Sequence, residues 1–384
     1  MKIQGILTKL NNSNLFREDS PLDIPLDKQL IILNGFSEPK NDLDRSYYQY
    51  CCQVALMGRI KYILLNLAAL PLLYYFYIKK NDTIKDYKEA NDGEEIDCFF
   101  PDGKPIKILP SELKNNNIKI INNKKEYLDS FGKAFFRKIV SKHPYSWLFL
   151  LKCLIKIRIY GFVINSCKIK RIIVCNEYSF TSSILTLYCE QRGIEHINVM
   201  HGEKLFYIRD TFFRYTKCFV WNKWYINLFL KLRAYENQFI VSIPESLKFT
   251  YVNVKKNCDF KYYLGGEDKK TLVTIYKNLL LLSKLGSVKV RPHPRYTDVA
   301  WIKANFSQIS IEDTNVSIEN SILETEYVIS LYSTVLTQAY YNKINIIIDD
   351  ISNNSQFQRL KERGFCVFGY KFELLSDYIK QNKR

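Results

Sequence analysis

What most constrains this chain is a recurring unit: a short apolar run, a polar turn, then a helical stretch. Lys170–Cys175 (KRIIVC), Glu195–Met200 (EHINVM), Cys218–Trp221 (CFVW) and Phe239–Ser242 (FIVS) are four such runs. A helix over Ser179–Arg192, stopped by Gly193, separates the first two. From about Tyr251 the pattern restarts: Asp259–Leu264, Val288–Arg291, Tyr327–Ser330 and Ile344–Ile348 alternate with helices over Lys269–Lys284, Ile318–Thr325 and Thr334–Asn342. Strands alternating with helices imply βαβ units and a parallel sheet. The expected class is therefore α/β, with two Rossmann-like domains, 1–245 and 246–384, facing a central cleft. Gln29–Asn34 (QLIILN) reads as a further buried strand, Ser46–Leu70 as helical, and Asp92–Pro110 as a loop or small hairpin.

Composition narrows the partners. With 47% hydrophobic and 25% charged residues in a 384-residue chain, disorder as the dominant state is excluded. The formal net charge is +17, and most of it lies between Lys104 and Arg171, where 16 Lys/Arg face only Glu112, Glu126 and Asp129. Such a block implies an anionic partner: nucleic acid, an acidic membrane surface or a phosphorylated substrate. The ten cysteines form no CxxC pair or zinc-type spacing, so no structural metal is expected and a reducing cytosol fits best. The first residues, MKIQGILTKLNNSNLF, lack the apolar run of a secretory signal.

Two apolar stretches need separate treatment. Tyr62–Ile78 falls just short of a membrane span and contains Pro71, so a buried helix ending in a turn or strand at the proline is expected, with insertion into one leaflet as the alternative. Trp147–Ile164 sets Lys152, Lys156 and Arg158 on one helical face. That suits an interfacial helix, and equally a core helix with a solvated stripe.

Three motifs carry chemistry. In Val290–Asp298 (VRPHPRYTD), Arg291, His293 and Arg295 follow a strand at its carboxyl end, where open α/β sheets bind ligands. Pro292 and Pro294 stiffen the turn, making a site for a phosphate or carboxylate. In Ser330–Ile348, Ser333 and Thr334 open a helix whose free N–H groups suit phosphate, although a plain helix cap has the same appearance. In Asn198–Asp210 (NVMHGEKLFYIRD), Gly202 allows a turn that aims His201 into the cleft, where it could act as a general base. Arg209 and Asp210 belong to a charged, aromatic loop suited to a sugar, and Glu177 in NEYSFTSS lies at the neighbouring strand end.

Together these features resemble GT-B glycosyltransferases, and more specifically the bacterial sialyltransferases of capsule and O-antigen biosynthesis that use CMP-sialic acid. The resemblance implies a metal-independent, inverting transfer to a galactose-type hydroxyl, with no cofactor beyond the donor substrate. His293 would contact the CMP phosphate and act as the acid for the leaving group. Ser333 and Thr334 would grip the same phosphate and Glu319 the nucleoside, with Gly265, Gly266, Arg291, Pro294 and Arg295 completing the donor side. The family's acidic Asp/Glu-Asp/Glu-Gly motif has its nearest local match at Asp92–Gly93, and Glu267–Asp268 follow a Gly pair rather than precede one. His201, Glu203 and Asp268 therefore compete as the base. An HG turn like that of polyol-phosphate transferases supports His201. Alternatives of the same class are transfer of Kdo, of another CMP-linked nonulosonic acid, or of a polyol phosphate from a CDP donor. A non-catalytic basic protein binding membrane or nucleic acid is the alternative of a different class; no nucleic-acid module is recognisable. The charge block then points to a lipid-linked acceptor at the inner membrane face, and to a cytoplasmic, peripheral location.

Overall fold

The structure is a computed structural model describing residues 22–84, 95–114, 117–122, 125–249, 254–313 and 315–381. Its strands are β1 (Ile96–Phe99), β2 (Ile118–Ile120), β3 (Ile169–Val174), β4 (Glu195–Val199), β5 (Lys217–Val220), β6 (Phe239–Val241), β7 (Cys258–Tyr263), β8 (Val288–Arg291), β9 (Ser310–Ile311), β10 (Thr325–Ser330), β11 (Asn345–Ile348) and β12 (Glu373–Leu374). The helices are α1 (Leu26–Asn34), α2 (Asp42–Ala55), α3 (Arg59–Ile78), α4 (Ser130–Lys142), α5 (Trp147–Ser166), α6 (Ser182–Glu190), α7 (Lys223–Lys231), α8 (Lys269–Leu282), α9 (Val299–Asn305), α10 (Ile318–Leu323), α11 (Thr334–Tyr341), α12 (Asn354–Glu362) and α13 (Leu375–Gln381). The strands form two six-stranded sheets, ordered β2-β1-β3-β4-β5-β6 and β12-β11-β10-β7-β8-β9. Every pairing in both is parallel, so the α/β class with two Rossmann-like halves is what the chain adopts.

Apolar alternation places the sheets. Ile172 and Val174 of β3 point into the main core, while Ile173 and Cys175 point to the other face, against Ile108, Leu109 and Leu113. The C-terminal segment crosses back: Phe357, Leu360, Phe365 and Val367 join the same core as the first half's Phe206, Tyr225 and Phe229. Arg363 anchors this return, donating to the carbonyl oxygens of Phe206 and Ile24.

Both strand orders reverse once. In the first sheet the reversal lies between β1 and β3, in the second between β7 and β10. These crevices outside the strands' carboxyl ends are where open α/β sheets take ligands. The two carboxyl edges face each other: Lys107, beyond β1, reaches Glu319 at the start of α10, with Nζ to Oε1 2.6 Å.

Two local expectations are overturned. Gln29–Asn34 lies in helix α1, because the buried positions are Gln29 and Leu33, four apart. Gln29 is spent on tying that helix down, donating to the Ile24 carbonyl and accepting the Ile208 N–H at 3.0 Å. The stretch expected as a loop or small hairpin, Asp92–Pro110, contains β1, paired in parallel on both sides. Its Asp97 masks the apolar pattern, but Arg171 on β3 neutralises it through a two-pronged ion pair, Nε to Oδ1 2.8 Å.

Of the two apolar helices, one takes the core reading offered for it and the other departs from the buried helix expected. α5 is the core helix, buried along most of its length, and Arg158 within it is 1% exposed. That guanidinium pairs with Glu126 at 3.0 Å and donates to the carbonyls of Lys79 and Lys80, holding the end of α3. α3 runs as one 20-residue helix through Pro71 and leaves only Ala69 fully buried. It is not the buried helix with a break that the proline suggests. Asn66 before the proline, bonded to the Tyr145 carbonyl and the Leu148 N–H, and the Lys79–Glu126 pair after it, fix both ends.

Of the four histidines, His196 is wholly structural. It is 1% exposed, with Nε2 2.9 Å from Tyr160 Oη and Nδ1 2.8 Å from Thr186 Oγ1. Burial lowers its pKa to about 3, and burial lowers that of His201 to about 4. An unfolded histidine titrates near ~6.5, so the unfolded chain binds more protons below that pH. The stability these two groups provide is thus complete above pH ~6.5 and is lost as the pH falls toward their folded values. Unfolding free energies from urea titrations should fall by up to about 1.4 kcal/mol per pH unit per histidine between pH ~6.5 and ~5, and His196→Gln should remove one such contribution. An unchanged slope in that variant would refute the assignment.

Candidate active site

The first sheet's edge gathers a set of polar side chains around its reversal point. Asp102 lies just beyond β1, with φ +44°, a left-handed conformation that Asp tolerates better than most residues. Asn176, just beyond β3, donates from Nδ2 to Asp102 Oδ2 at 3.2 Å, and its own Oδ1 is buried without a partner. His201 follows β4 on a turn opened by Gly202, φ +68°. Its Nδ1 is also buried and unpartnered. The charges of Glu177, Lys204, Lys104 and Asp102 all act on this imidazole. Burial, the largest influence, keeps it neutral at pH 7.

Beneath this rim sits a buried ion pair. Glu177, 0% exposed, accepts from Lys204 Nζ at 2.9 Å and from Asn198 Nδ2 at 3.1 Å. Burial raises a carboxyl's pKa, but here Lys204 and His201 outweigh it and hold Glu177 below its usual value. Lys204 stays above its own, with Glu177 and Asp210 outweighing burial. Glu177 and Asp210, expected to touch an acceptor, are buried instead; they support the rim from below. Arg209 is at the surface, its guanidinium 5.0 Å from the Tyr178 ring centre and 4.9 Å from that of Tyr207. A cation stacked between aromatic faces makes a flat, polar platform.

The second sheet's edge carries three motifs on adjacent strands, β10, β7 and β8. With neighbouring strands ~5 Å apart, residues beyond β10 and β8 are separated by about one phosphate group and its contacts. Beyond β10, Ser333 caps α11, its Oγ accepting the Val335 N–H at 3.2 Å, and Thr334 is the first helical residue. Beyond β7 come Gly265 and Gly266; the Gly265 N–H is taken by the Glu267 carboxylate at 2.7 Å. Beyond β8, the Arg295 N–H donates to His293 Nδ1 at 3.1 Å, and Tyr296 stacks on the imidazole with centres 4.5 Å apart. Thr297 fastens the turn by accepting the His293 N–H and donating to the Gly265 carbonyl, both 2.9 Å.

The Arg295 N–H on Nδ1 fixes the histidine's form. An Nδ1 that accepts carries no proton, so the neutral ring bears it on Nε2. Burial and Arg295 both lower the pKa, which favours the same neutral form. His293 is thus built to donate a hydrogen bond from Nε2. A full proton transfer, as expected of an acid, would have to start from an imidazolium that the Arg295 N–H opposes. Pro294 and Arg295 are exposed on the same turn.

Several expected roles change. Arg291 is 8% exposed and pairs with Glu312, Nη1 to Oε2 2.6 Å, while its other nitrogen holds the Val316 carbonyl. Glu312 also binds Lys261, 0% exposed, so Arg291 belongs to a buried network under the turn rather than to a ligand. Asp268 is an exposed cap of α8, accepting the Thr271 N–H at 2.7 Å, and that bond lowers its pKa. Glu203 accepts from Tyr225 Oη at 2.6 Å, from Cys366 Sγ at 3.2 Å and from Thr337 Oγ1. Burial raises its pKa. It ties the two halves together and has no free oxygen to act as a base. Glu319 is held by Lys107 and has its pKa lowered by that contact.

Asp102 was missed by sequence reasoning, and a signal existed. Pro101–Asp102–Gly103 follows the apolar Cys98–Phe99–Phe100 as a turn follows a strand, but the acidic residues upstream disguised it. The nearer motif match, Asp92–Gly93, lies outside the described residues. All ten cysteines are free, and among the described residues no cluster of His, Cys, Asp or Glu has metal-binding geometry.

No family model and no curated protein matches the chain. Among solved structures it is similar to UDP-GlcNAc 2-epimerase from Methanocaldococcus jannaschii (TM-score 0.42, 15% identity, 75% of this chain and 91% of that one). It is also similar to the wall teichoic acid polymerase TagF (TM-score 0.38, 13% identity, 85% and 89% covered). A glycosyltransferase from Rickettsia africae gives TM-score 0.38 and 13% identity over 76% and 84% of the two chains. At such scores and identities these likenesses say nothing of substrate or mechanism, which rest on the residues above.

Proposed function

We propose that this protein is a GT-B glycosyltransferase that moves a sialic acid from CMP-sialic acid to a hydroxyl of a glycan acceptor, with inversion and without a metal. The carrying observation is His293: an imidazole held as an Nε2–H donor, at a sheet's carboxyl edge, two strands from the Ser333 helix start. A monophosphate ester needs little more than a few aimed donors. The donor phosphate lies against His293 Nε2, Ser333 Oγ and the first N–H groups of α11, with Arg295 adding positive charge.

The acceptor hydroxyl enters from the opposite edge, between Asp102, Asn176 and His201. As its oxygen bonds to the anomeric carbon, the bond from that carbon to the CMP oxygen breaks. CMP leaves with the electron pair, and the hydroxyl proton passes to the Asp102 carboxylate, whose charge also acts on His201. Donors already aimed at the leaving phosphate stabilise charge where it develops, at no cost in reorganisation.

Purified protein given CMP-sialic acid and a galactosyl acceptor should release CMP, and CMP alone should bind by calorimetry. Failure of both sinks the reading. A donor panel including CMP-Kdo and CDP-glycerol separates the sugar transferases from a polyol-phosphate transferase. Within this reading, Asp102→Asn should lower kcat by roughly 10²- to 10⁴-fold with the donor's KM little changed. A fall in donor affinity at constant kcat would place Asp102 elsewhere in the cycle.

A further inference from the structure

The face of α3 turned away from the fold is a continuous apolar stripe. Ile60, Ile63, Leu64, Leu67, Leu70, Tyr74 and Ile78 are all exposed, Ile60 at 77%, Tyr74 at 67% and Leu64 at 62%. Their spacing of three, four and seven places them along one side of the helix. A groove of about 440 Å³ continues this face between α3 and α4, lined by Leu70, Tyr74, Tyr77, Phe136, Arg137 and Val140. Patches of this extent rimmed by charge mark interaction surfaces.

Charge identifies the partner. α3, α4 and α5 contain no Asp or Glu along their whole length, while α4, which shares the groove with α3, turns Lys133, Arg137 and Lys138 to solvent. Elsewhere several members of the basic block are paired within the fold, as in Lys107–Glu319, Lys114–Glu245, Lys142–Asp44, Arg158–Glu126 and Arg171–Asp97. Arg137 lines the groove itself, so exposed positive charge adjoins an apolar helix, a pairing suited to an anionic bilayer surface. A second protein would have to bring a long acidic rim as well as an apolar groove.

We propose that α3 and α4 seat the protein on an anionic lipid surface, with α3 lying in the plane of the interface rather than crossing it. Although the helix is 20 residues long and apolar enough to span, its inner side is tied to the fold. Asn66 is bonded to residues 145 and 148, and Lys79 to Glu126, on top of its packing against α5. Crossing would break those bonds; lying flat uses only the face already exposed.

The seat adjoins the candidate site. On α2, Gln53 donates to the carbonyls of Tyr178 and Arg209 at 2.7 and 3.1 Å, and Gln49 to that of Glu177. α3 begins six residues after Gln53, so the stripe starts beside the acceptor rim. Resting on the transferase reading, the acceptor class is a glycan carried on a lipid anchor in that same surface.

Flotation of the full chain with vesicles of phosphatidylglycerol and phosphatidylethanolamine, against pure phosphatidylcholine, tests the seat independently of catalysis. Binding to the anionic vesicles should exceed that to neutral ones by at least about tenfold. Leu64→Glu with Leu67→Glu, and separately Lys133→Glu with Arg137→Glu and Lys138→Glu, should each lower it by about tenfold or more. Both variants should keep the wild-type circular dichroism and CMP release with a water-soluble acceptor, and lose activity only on a lipid-linked one. Alkaline carbonate should release the bound protein. Retention through that wash would mean a spanning helix and overturn the in-plane placement. Wild-type protein that ignores anionic vesicles refutes the seat outright. So does a dimer by light scattering that the Leu variants make monomeric without affecting vesicle binding, and so does binding that appears only after deletion of residues 1–21. Loss of CMP release with intact vesicle binding would instead strike the transferase reading alone.

Discussion

Replacing His293 with alanine should lower turnover by roughly 10²- to 10³-fold, the usual loss on deleting a donor aimed at developing negative charge. His293→Gln should restore a measurable part of it. The reason is the Arg295 N–H on Nδ1: a ring held this way works by donating from Nε2, and a glutamine amide N–H can reach a similar place. An imidazolium acid has no such substitute, so glutamine as inactive as alanine would return His293 to acid catalysis. Steady-state release of CMP at saturating acceptor decides between them. Because burial and Arg295 lower its pKa, the neutral ring should persist as the pH falls below 7, and the acid limb of the rate should begin below the usual histidine value.

The largest stability effect is expected at Lys204. Changing it to methionine keeps the side chain's bulk and strands the fully buried Glu177 carboxylate without its cation. Removing one partner of a buried pair costs about 3–5 kcal/mol, since the remaining charge stays desolvated. Lys204→Met with Glu177→Gln together should recover most of that loss, because no buried charge is left. Urea unfolding of the two proteins measures the difference. Equal destabilisation would mean the pair acts through packing alone. The single variant should also change His201, whose ionisation both charges influence from below.

A good part of this architecture is legible in the residues. Apolar β-branched runs such as KRIIVC and VKVR can be little else than buried strands, and their order relative to the helices dictates a parallel sheet. His201, Gly265, His293 and Ser333 could be placed at strand ends because a strand's end is a local property. What each side chain does there could not be read the same way. Arg291 and Glu203 have the chemistry of a ligand site, yet distant partners, Glu312 in one case and Thr337 and Cys366 in the other, occupy them. Asp268 is taken by a helix end three residues away.

The two apolar helices show the same limit in energetic terms. Both are long enough and apolar enough to be core, and hydrophobicity by itself favours burial of each. Only packing decided that α5, with its Arg158 neutralised by Glu126, goes inside, and that α3, with no charge in its middle, remains outside. The sequence by itself determined the α/β class, the two-part chain and the strand-end positions of His201 and His293, because periodicity and turn chemistry are local. The tertiary structure alone decided that β1 and β3 meet at a reversal point, which is what brings Asp102 to Asn176 and turns an overlooked Asp-Gly step into half of a candidate site. Strand order and ion-pair choice depend on residues far apart in the chain, and no local pattern encodes them.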